Sequence, residues 1–438
     1  MIKVSPWVAL LCIVVGVIAL GAGSALADEG ELLYKKLHTF VFQIKTSKSA
    51  DAPKLSYGSG FVVNKEGYLL TNYHVISSKV HDEDDNYKVY VVIDDKNYEA
   101  KILGFNIIHD IAVVKIDKKF DRALTLKREA PAIGQEVYSL GLPQDLRMAI
   151  VSGTYNGVIS DGPYERVFMT TPINSGMSGG PTVNSRGEVI GVNVSHLIGS
   201  LNITFSVPIG HAMLLLQEVL ARKEEFALKN SYALIGEQLK QIQNSLLKEL
   251  LTSKSTPPIV AGWMLASVPE TLKCWGKNTT SKKKQYQAID HFCHLKNAAY
   301  LENGNYSGSF ELQYTVLENL TLSSLQFYRK ISSVLASDDG LENIFLSLFD
   351  KTIQSKYACD EMVIVNPHKI SFKIATCFAA LTKYQDLYKL HFKAITLNRG
   401  NSYLLFKGEF NGISKENSKR FLEHHLARIS FDDDGGKR

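Results

Sequence analysis

From Phe40 to about Ser206 the chain alternates short apolar runs with turn signals. Gly60-Phe61-Val62-Val63 predicts a strand, Asn64-Lys65-Glu66-Gly67 a turn, and Tyr68-Leu69-Leu70-Thr71 the return strand. Tyr87 to Ile93 predicts another strand, turning at Asp94-Asp95-Lys96-Asn97, and Ile111 to Ile116 a further one. Many short strands at this spacing argue for an all-β sandwich or barrel. Pro131-Ala132-Ile133-Gly134 reads as a crossover between two β modules of similar size, the first ending near residue 120. Ahead of them, Glu31 to Leu37 predicts a short helix.

From Pro208 the period changes. Met213, Leu216, Val219 and Leu220 recur at helical spacing, and a second helical stretch runs through 232–251. Thr252 to Pro258 reads as a linker, because two prolines and small polar residues disfavour both helix and central strand. Residues 259–438 read as mixed α+β. Strands such as Phe310-Leu312-Tyr314-Val316 and Tyr388-Leu390-Phe392 precede helix-like stretches at Leu325 to Leu335 and Phe421 to Ile429. Each half opens on a cysteine pair, an order that a duplication and a chance likeness explain equally well.

The start of the chain bears on compartment. Lys3, an apolar run from Trp7 to about Ala22 and Ala25-Leu26-Ala27 before Asp28 make a charged start, an apolar core and a small-residue cleavage site. Residues 1–27 are therefore expected to be a signal peptide; left uncleaved, the segment would be the chain's contact with the membrane. The run is short beside the ~20 residues of a full span. Four cysteines follow it: Cys274, Cys293, Cys359 and Cys377. An even count in an exported chain favours disulfides over buried thiols. Three pairings exist, of which the local ones, Cys274–Cys293 and Cys359–Cys377, close loops of similar size. The net charge of +5 over 438 residues, with no dense basic stripe, makes nucleic acid no evident partner.

Three segments carry chemistry. One runs from Gly58-Ser59-Gly60-Phe61 to Leu70-Thr71-Asn72-Tyr73-His74, the second is His109-Asp110-Ile111-Ala112, and the third is Asn174-Ser175-Gly176-Met177-Ser178-Gly179-Gly180-Pro181. Alone, each has a plainer reading as a strand end or a tight turn. Together they supply what acyl transfer needs. A serine hydroxyl is a poor nucleophile until a base lies within hydrogen-bond reach and a third group orients that base. Ser178 is the candidate nucleophile, His74 the base and Asp110 the orienting carboxylate. General-base help is worth about 10²–10⁴ in rate. Gly176 and Ser178 N–H groups are the candidate oxyanion hole, each such donor being worth about 3–4 kcal/mol.

These segments resemble those of the trypsin-like superfamily, and most of all its bacterial HtrA-type (Deg) branch. The likeness rests on 58–63, Leu70 to Val75, His109 to Ile116, Gly176 to Pro181 with Asn184 to Asn193, and Phe205-Ser206-Val207-Pro208. It covers about 35–225. It implies two perpendicular six-stranded β-barrels with His74, Asp110 and Ser178 between them. The strand Val192-Asn193-Val194 would bind substrate backbone and wall the specificity pocket. The chain departs from that branch at Met177, where Asn is usual, at Ser175, where Pro is common, and at Thr170, where Asp is common. Met177 implies a more apolar site rim. With Pro172 near the place of a pocket floor and no acid there, cleavage after small or medium apolar residues is expected. The PDZ domains common in that branch have no counterpart in 259–438.

The fold class expected is an all-β, trypsin-like double β-barrel protease domain (28–228), a helical linker (229–258) and an α+β C-terminal domain (259–438) with two disulfides. The function expected is an exported serine endopeptidase, periplasmic or secreted, acting on protein or peptide substrates without metal or cofactor. The resemblance allows a homo-oligomer without fixing its number. The rival reading is a latent or inactive protease-fold protein that binds, chaperone-like, in the envelope. His81-Asp82-Glu83-Asp84-Asp85 reads as a solvated loop before it reads as a calcium site. His291, Cys293 and His294 lack the second ligand pair of a zinc site.

Overall fold

The computed structural model describes residues 25–432 apart from 144–145, 160–163, 197–202, 225, 282, 284, 296–298, 303–305, 337–353 and 398–399. Most of the expected signal segment thus lies outside the described residues. Helix α1 (Ala25–Leu37) begins before the expected cleavage point. Among the described residues no helix is long and apolar enough to cross a membrane.

The chain forms two compact units, the first comprising residues up to 228 apart from 160–164, and the second residues 160–164 and 229–438. In the first unit the apolar runs close two barrels. β1 (Val41–Ser47), β2 (Ser56–Val62), β3 (Tyr68–Thr71), β4 (Lys88–Ile93), β5 (Lys96–Asn106) and β6 (Ile111–Ile116) form the first, in the order β1-β2-β3-β6-β5-β4. β7 (Glu136–Gly141), β8 (Ala149–Ile159), β9 (Arg166–Met169), β10 (Pro181–Asn184), β11 (Val189–His196) and β12 (Thr204–Pro208) form the second, in the order β10-β11-β12-β9-β8-β7. Every neighbouring pair is antiparallel. Closure leaves neither sheet a free edge. The fold is the trypsin-like double barrel, and the first module ends at Ile116 as the turn spacing implies.

Two helices brace this unit. The connection from β3 to β4 holds α2 (Tyr73–Val80), which carries His74 on its first turn. Directly after β12 comes α3 (Ile209–Ala221). A Cβ at Gly104 of β5 would lie 2.8 Å from Val219, so α3 lies close against the first barrel. Arg222, just past its end, donates to Leu103 O at 2.7 Å.

In the second unit the alternation of strands builds one seven-stranded sheet in the order β15-β16-β19-β23-β22-β21-β20. These are β15 (Leu272–Thr280), β16 (Tyr286–Leu295), β19 (Phe310–Asn319), β20 (Ala358–Val365), β21 (Ser371–Ala380), β22 (Tyr388–Thr396) and β23 (Ser402–Ile413). A separate three-stranded sheet of β13 (Ile259–Val260), β14 (Trp263–Met264) and β24 (Ser430–Phe431), and a two-stranded one of β17 (Ala299–Tyr300) and β18 (Tyr306–Ser307), accompany it. Strand residues two apart share a face. One face, with Leu312, Tyr314, Val316, Phe372, Phe392, Leu404 and Phe406, packs with α4 (Ser231–Thr252) and α6 (Lys415–Arg428) in a single core. The opposite face puts Leu317, Ile395 and Leu405 against Phe327 and Ile331 of α5 (Ser324–Ala336).

The stretch expected as a helical linker is helical but is built into this core: Leu246, Leu247 and Leu250 of α4 are buried in it. Heptad-like apolar spacing reports an apolar face and not which surface covers it. The two disulfides, Cys274–Cys293 and Cys359–Cys377, each join directly opposed residues of an edge hairpin. They sit at the two ends of the sheet, β15-β16 and β20-β21. The hairpins correspond; to the seven-stranded sheet the earlier half contributes β15, β16 and β19 and the later half β20 to β23.

Candidate active site

His74 and Asp110 come from the first barrel. Asp110 lies at the entrance to β6 with φ +52°, a left-handed conformation that Asp tolerates better than most residues. Three contacts hold it there. Its Oδ2 lies 2.6 Å from His74 Nδ1, its Oδ1 accepts from the His74 main-chain N–H at 2.8 Å, and its carbonyl accepts from Asn72 Nδ2 at 2.7 Å. Both carboxylate oxygens are therefore spent on one histidine, which fixes the ring's direction. Burial by itself would lower the His74 pKa. The charge of Asp110 and its hydrogen bond outweigh that cost and raise it above its ordinary value.

Ser178 comes from the second barrel, in the turn that leads into β10. Met177 N–H closes on Asn174 O at 3.0 Å, with Gly176 third in the turn at φ +95°. Positive φ at that position defines a type II turn and calls for glycine. Among the described residues, the main-chain N–H groups of Gly176 and Ser178 have no acceptor, while Met177 N–H between them is spent. Two unspent amides flank the serine, as an oxyanion site requires.

The turn is tied to its surroundings by main-chain contacts. Ser59 N–H donates to Ser178 O at 2.7 Å, and Ser59 Oγ donates to Gly176 O at 2.7 Å. Thr71 Oγ1 in turn holds Ser59 O at 2.7 Å. Gly179 has φ +84°, and a Cβ there would fall 2.2 Å from Ser59 O and 3.0 Å from Asn72 N. The Ser178 turn thus abuts the strand end that leads into His74.

In this conformation Ser178 Oγ donates to Val194 O at 2.9 Å. A hydroxyl has one hydrogen to give, so Ser178 must turn before it can give that hydrogen to His74.

Of the three residues expected to line the substrate channel, Val192 and Asn193 are fully buried. Asn193 has both main-chain groups bound to the serine turn: its N–H donates to Gly180 O at 2.8 Å and its carbonyl accepts from Gly179 N–H at 2.8 Å. Its side chain donates to Leu140 O at 3.0 Å and accepts from Thr182 Oγ1 at 2.6 Å. Asn193 is a buckle beneath Ser178, and Val194 O lies against Ser178 Oγ. The expectation of an apolar rim at Met177 is corrected: its side chain is buried, 1% exposed, because the turn's reversal sends it inward. Pro172 is exposed and Ile173 is buried beside it.

Ser59, Thr71 and Asn72, all fully buried, are site-building residues that the motif reading passed over. They stand inside the quoted segments, but a polar side chain in a strand carries no sign of which main-chain group it holds.

The other candidate clusters resolve differently. In the acidic loop Lys79 pairs with Asp82 at 3.7 Å and with Asp85, and Asp82 accepts from Tyr87 N–H. The carboxylates of Asp82 and Asp85 serve the loop itself. In the second unit Cys274, His291 and Cys293 converge, but both sulfurs are joined to each other. His294 lies on the opposite face of β16 from His291, three residues away.

Double barrel, Asp–His pair and glycine-flanked serine together give the first unit the arrangement of a trypsin-like peptidase domain. Residues 58–192 match the trypsin-like peptidase domain family. Several relatives similar to this chain are DegP-like or Do-like proteases. A probable periplasmic serine endoprotease, DegP-like, of Pseudomonas fluorescens is 35% identical over 167 residues, 36% of this chain and 34% of that protein. A protein of the same description from Hahella chejuensis is 29% identical over 221 residues, 48% of this chain and 45% of its own. Protease Do-like 1, chloroplastic, of Arabidopsis thaliana is 33% identical over 166 residues, 35% of this chain and 36% of its own. The chain spans less than half the length of these relatives. Among solved structures, a serine endoprotease from Yersinia pestis is similar over 44% of this chain and 66% of that one, at 25% identity and TM-score 0.38.

Proposed function

We propose that this chain is an exported serine endopeptidase that cleaves polypeptides through an acyl-enzyme, in envelope protein quality control. The observation that carries the reading is the double grip of Asp110 on His74, at 2.6 and 2.8 Å, beside a serine turn with two unspent amides. Ser178 attacks the scissile carbonyl. His74 takes its proton and returns it to the leaving amine, while Asp110 keeps the ring in one tautomer and stabilises the imidazolium. Gly176 and Ser178 N–H groups receive the oxyanion. Val194 O accepts from the main chain of an extended substrate. No step calls for a metal or cofactor. Export is supported by the first 27 residues and by the periplasmic relatives. A fluorophosphonate probe tests the site directly: labelling of the wild type and none of Ser178→Ala is expected, and an unlabelled wild type would refute a formed site.

A second reading has one observation in its favour. The Ser178 hydroxyl rests on Val194 O, so the chain is at rest in this conformation and engages when substrate takes that carbonyl over. Labelling that is slow alone and faster with a bound peptide distinguishes the latent enzyme from a constitutive one.

A further inference from the structure

His211 is on the first turn of α3, which follows directly on β12 of the second barrel. Its ring stacks on that of His109, with centroids 3.7 Å apart and planes inclined by 17°. His109 is the residue before Asp110. Its own main-chain N–H is held by Asn106 Oδ1 at 3.0 Å. The helix that carries His211 then runs on against β5 of the first barrel, through Leu215 and Val219 at Gly104. The two barrels each supply part of the site, Asp110 and His74 from one and Ser178 from the other. The ring stack is a contact between an element leaving the second barrel and the corner of the first that bears the carboxylate.

That corner needs an external hold. Asp110 is in the left-handed region, a conformation of the kind that persists only where the surroundings over-determine it. Hydrogen bonds to Asn72 and His74 fix its carbonyl and carboxylate, and the stack fixes the residue on its other side. Resting on the peptidase reading above, we propose that His211, through its stack on His109, is a positioning residue that sets Asp110 against His74.

The groups around the pair suit a neutral stack. Glu165 Oε2 lies 3.7 Å from His211 Nε2, and Arg128 lies by the same turn of α3, where a Cβ at Gly210 would come within 3.3 Å of its Nε. Burial lowers the pKa of both rings, His109 to about 4 with the nearby His211 adding to the effect. Arg128 adds to the lowering at His211, and Glu165 opposes it. At neutral pH two uncharged rings are in contact, and an aromatic ring without nitrogens can replace one of them.

The test compares full-length wild type, His211→Ala and His211→Phe. Two quantities are read: kcat/KM against pH, and the titration of the His74 imidazole by NMR. His211→Ala is expected to lower kcat about tenfold or more, since small misplacements of a catalytic group are costly. It is also expected to move the His74 titration, and with it the acid limb, to lower pH, because Asp110 loses its hold. His211→Phe keeps the stack and is expected to retain both. A general loss of folded protein would lower activity at every pH without moving the limb. Should His211→Ala not fold, His211→Phe decides alone: an unshifted His74 titration supports the proposal and a shifted one overturns it. His211→Ala with a wild-type titration, or His211→Phe as impaired as His211→Ala, overturns it. A wild type that cuts nothing while His74 still shifts in His211→Ala refutes the peptidase reading and leaves the positioning role standing.

Discussion

In the proposed mechanism His74 acts as a base only when neutral, so its pKa would set where activity begins. Asp110 raises that pKa above the ordinary 6.5. The sign follows: as pH falls through the raised value the base is protonated and kcat/KM is lost, and above it activity is full. An acid limb above pH 6.5 is therefore expected in a pH profile. Asp110→Asn removes the charge, so the limb should move to lower pH and kcat should fall by about 10⁴, the size of effect known for this exchange in such triads. A limb that stays in place would show that Asp110 does not set it. Gly179 is the second residue with a sharp expectation. With φ +84° and Ser59 O in the way of any Cβ, Gly179→Ala should destabilise the first unit by more than about 1 kcal/mol and abolish probe labelling. Unchanged melting and labelling would place the turn's rigidity elsewhere.

At the scale of elements, the edge hairpins of the second unit invite a measurement. Each disulfide closes a loop, with sequence separations of 19 and 18, and each such bond is worth about 3 kcal/mol on the loop-entropy argument. Reduction should lower the melting transition of this unit and leave that of the disulfide-free first unit in place. A fall in both would contradict that assignment. Phe421 of α6 is fully buried against Phe310, Phe392 and Phe410, so Phe421→Ala should cost about 3–5 kcal/mol in the same transition. The elements themselves were well marked in the sequence. The hairpin at 60–71, the strand at Ile111 to Ile116 and the helix at 232–251 each had an unbroken period bounded by turn or breaker residues. What the period could not carry was partnership. The apolar face of α4 fits a linker's amphipathicity as well as a core position, and the packing of Leu246, Leu247 and Leu250 in the core of the second unit decides between them. Likewise Met177 read as a rim residue, because an apolar side chain beside a nucleophile gives no sign of which way the turn sends it. The His211–His109 stack had no motif at all, since its two residues lie 102 positions apart and meet only when α3 crosses between the barrels.

For the molecule as a whole, the candidate catalytic residues His74, Asp110 and Ser178 belong to the first unit, and the second brings a disulfide-stapled antiparallel sheet with helices on both faces. Residues 58–192 of the first unit match the trypsin-like peptidase domain family, and the similar DegP-like and Do-like proteases are matched over less than half their length. The catalytic assignment therefore rests on the first unit's own geometry and stands or falls with Ser178. The most direct measurement is casein hydrolysis by the chain from Asp28 onward, beside the same chain carrying Ser178→Ala. The account predicts cleavage by the wild type and none by Ser178→Ala. Equal cleavage by both, or a wild type that neither cuts casein nor takes up a fluorophosphonate, would contradict it.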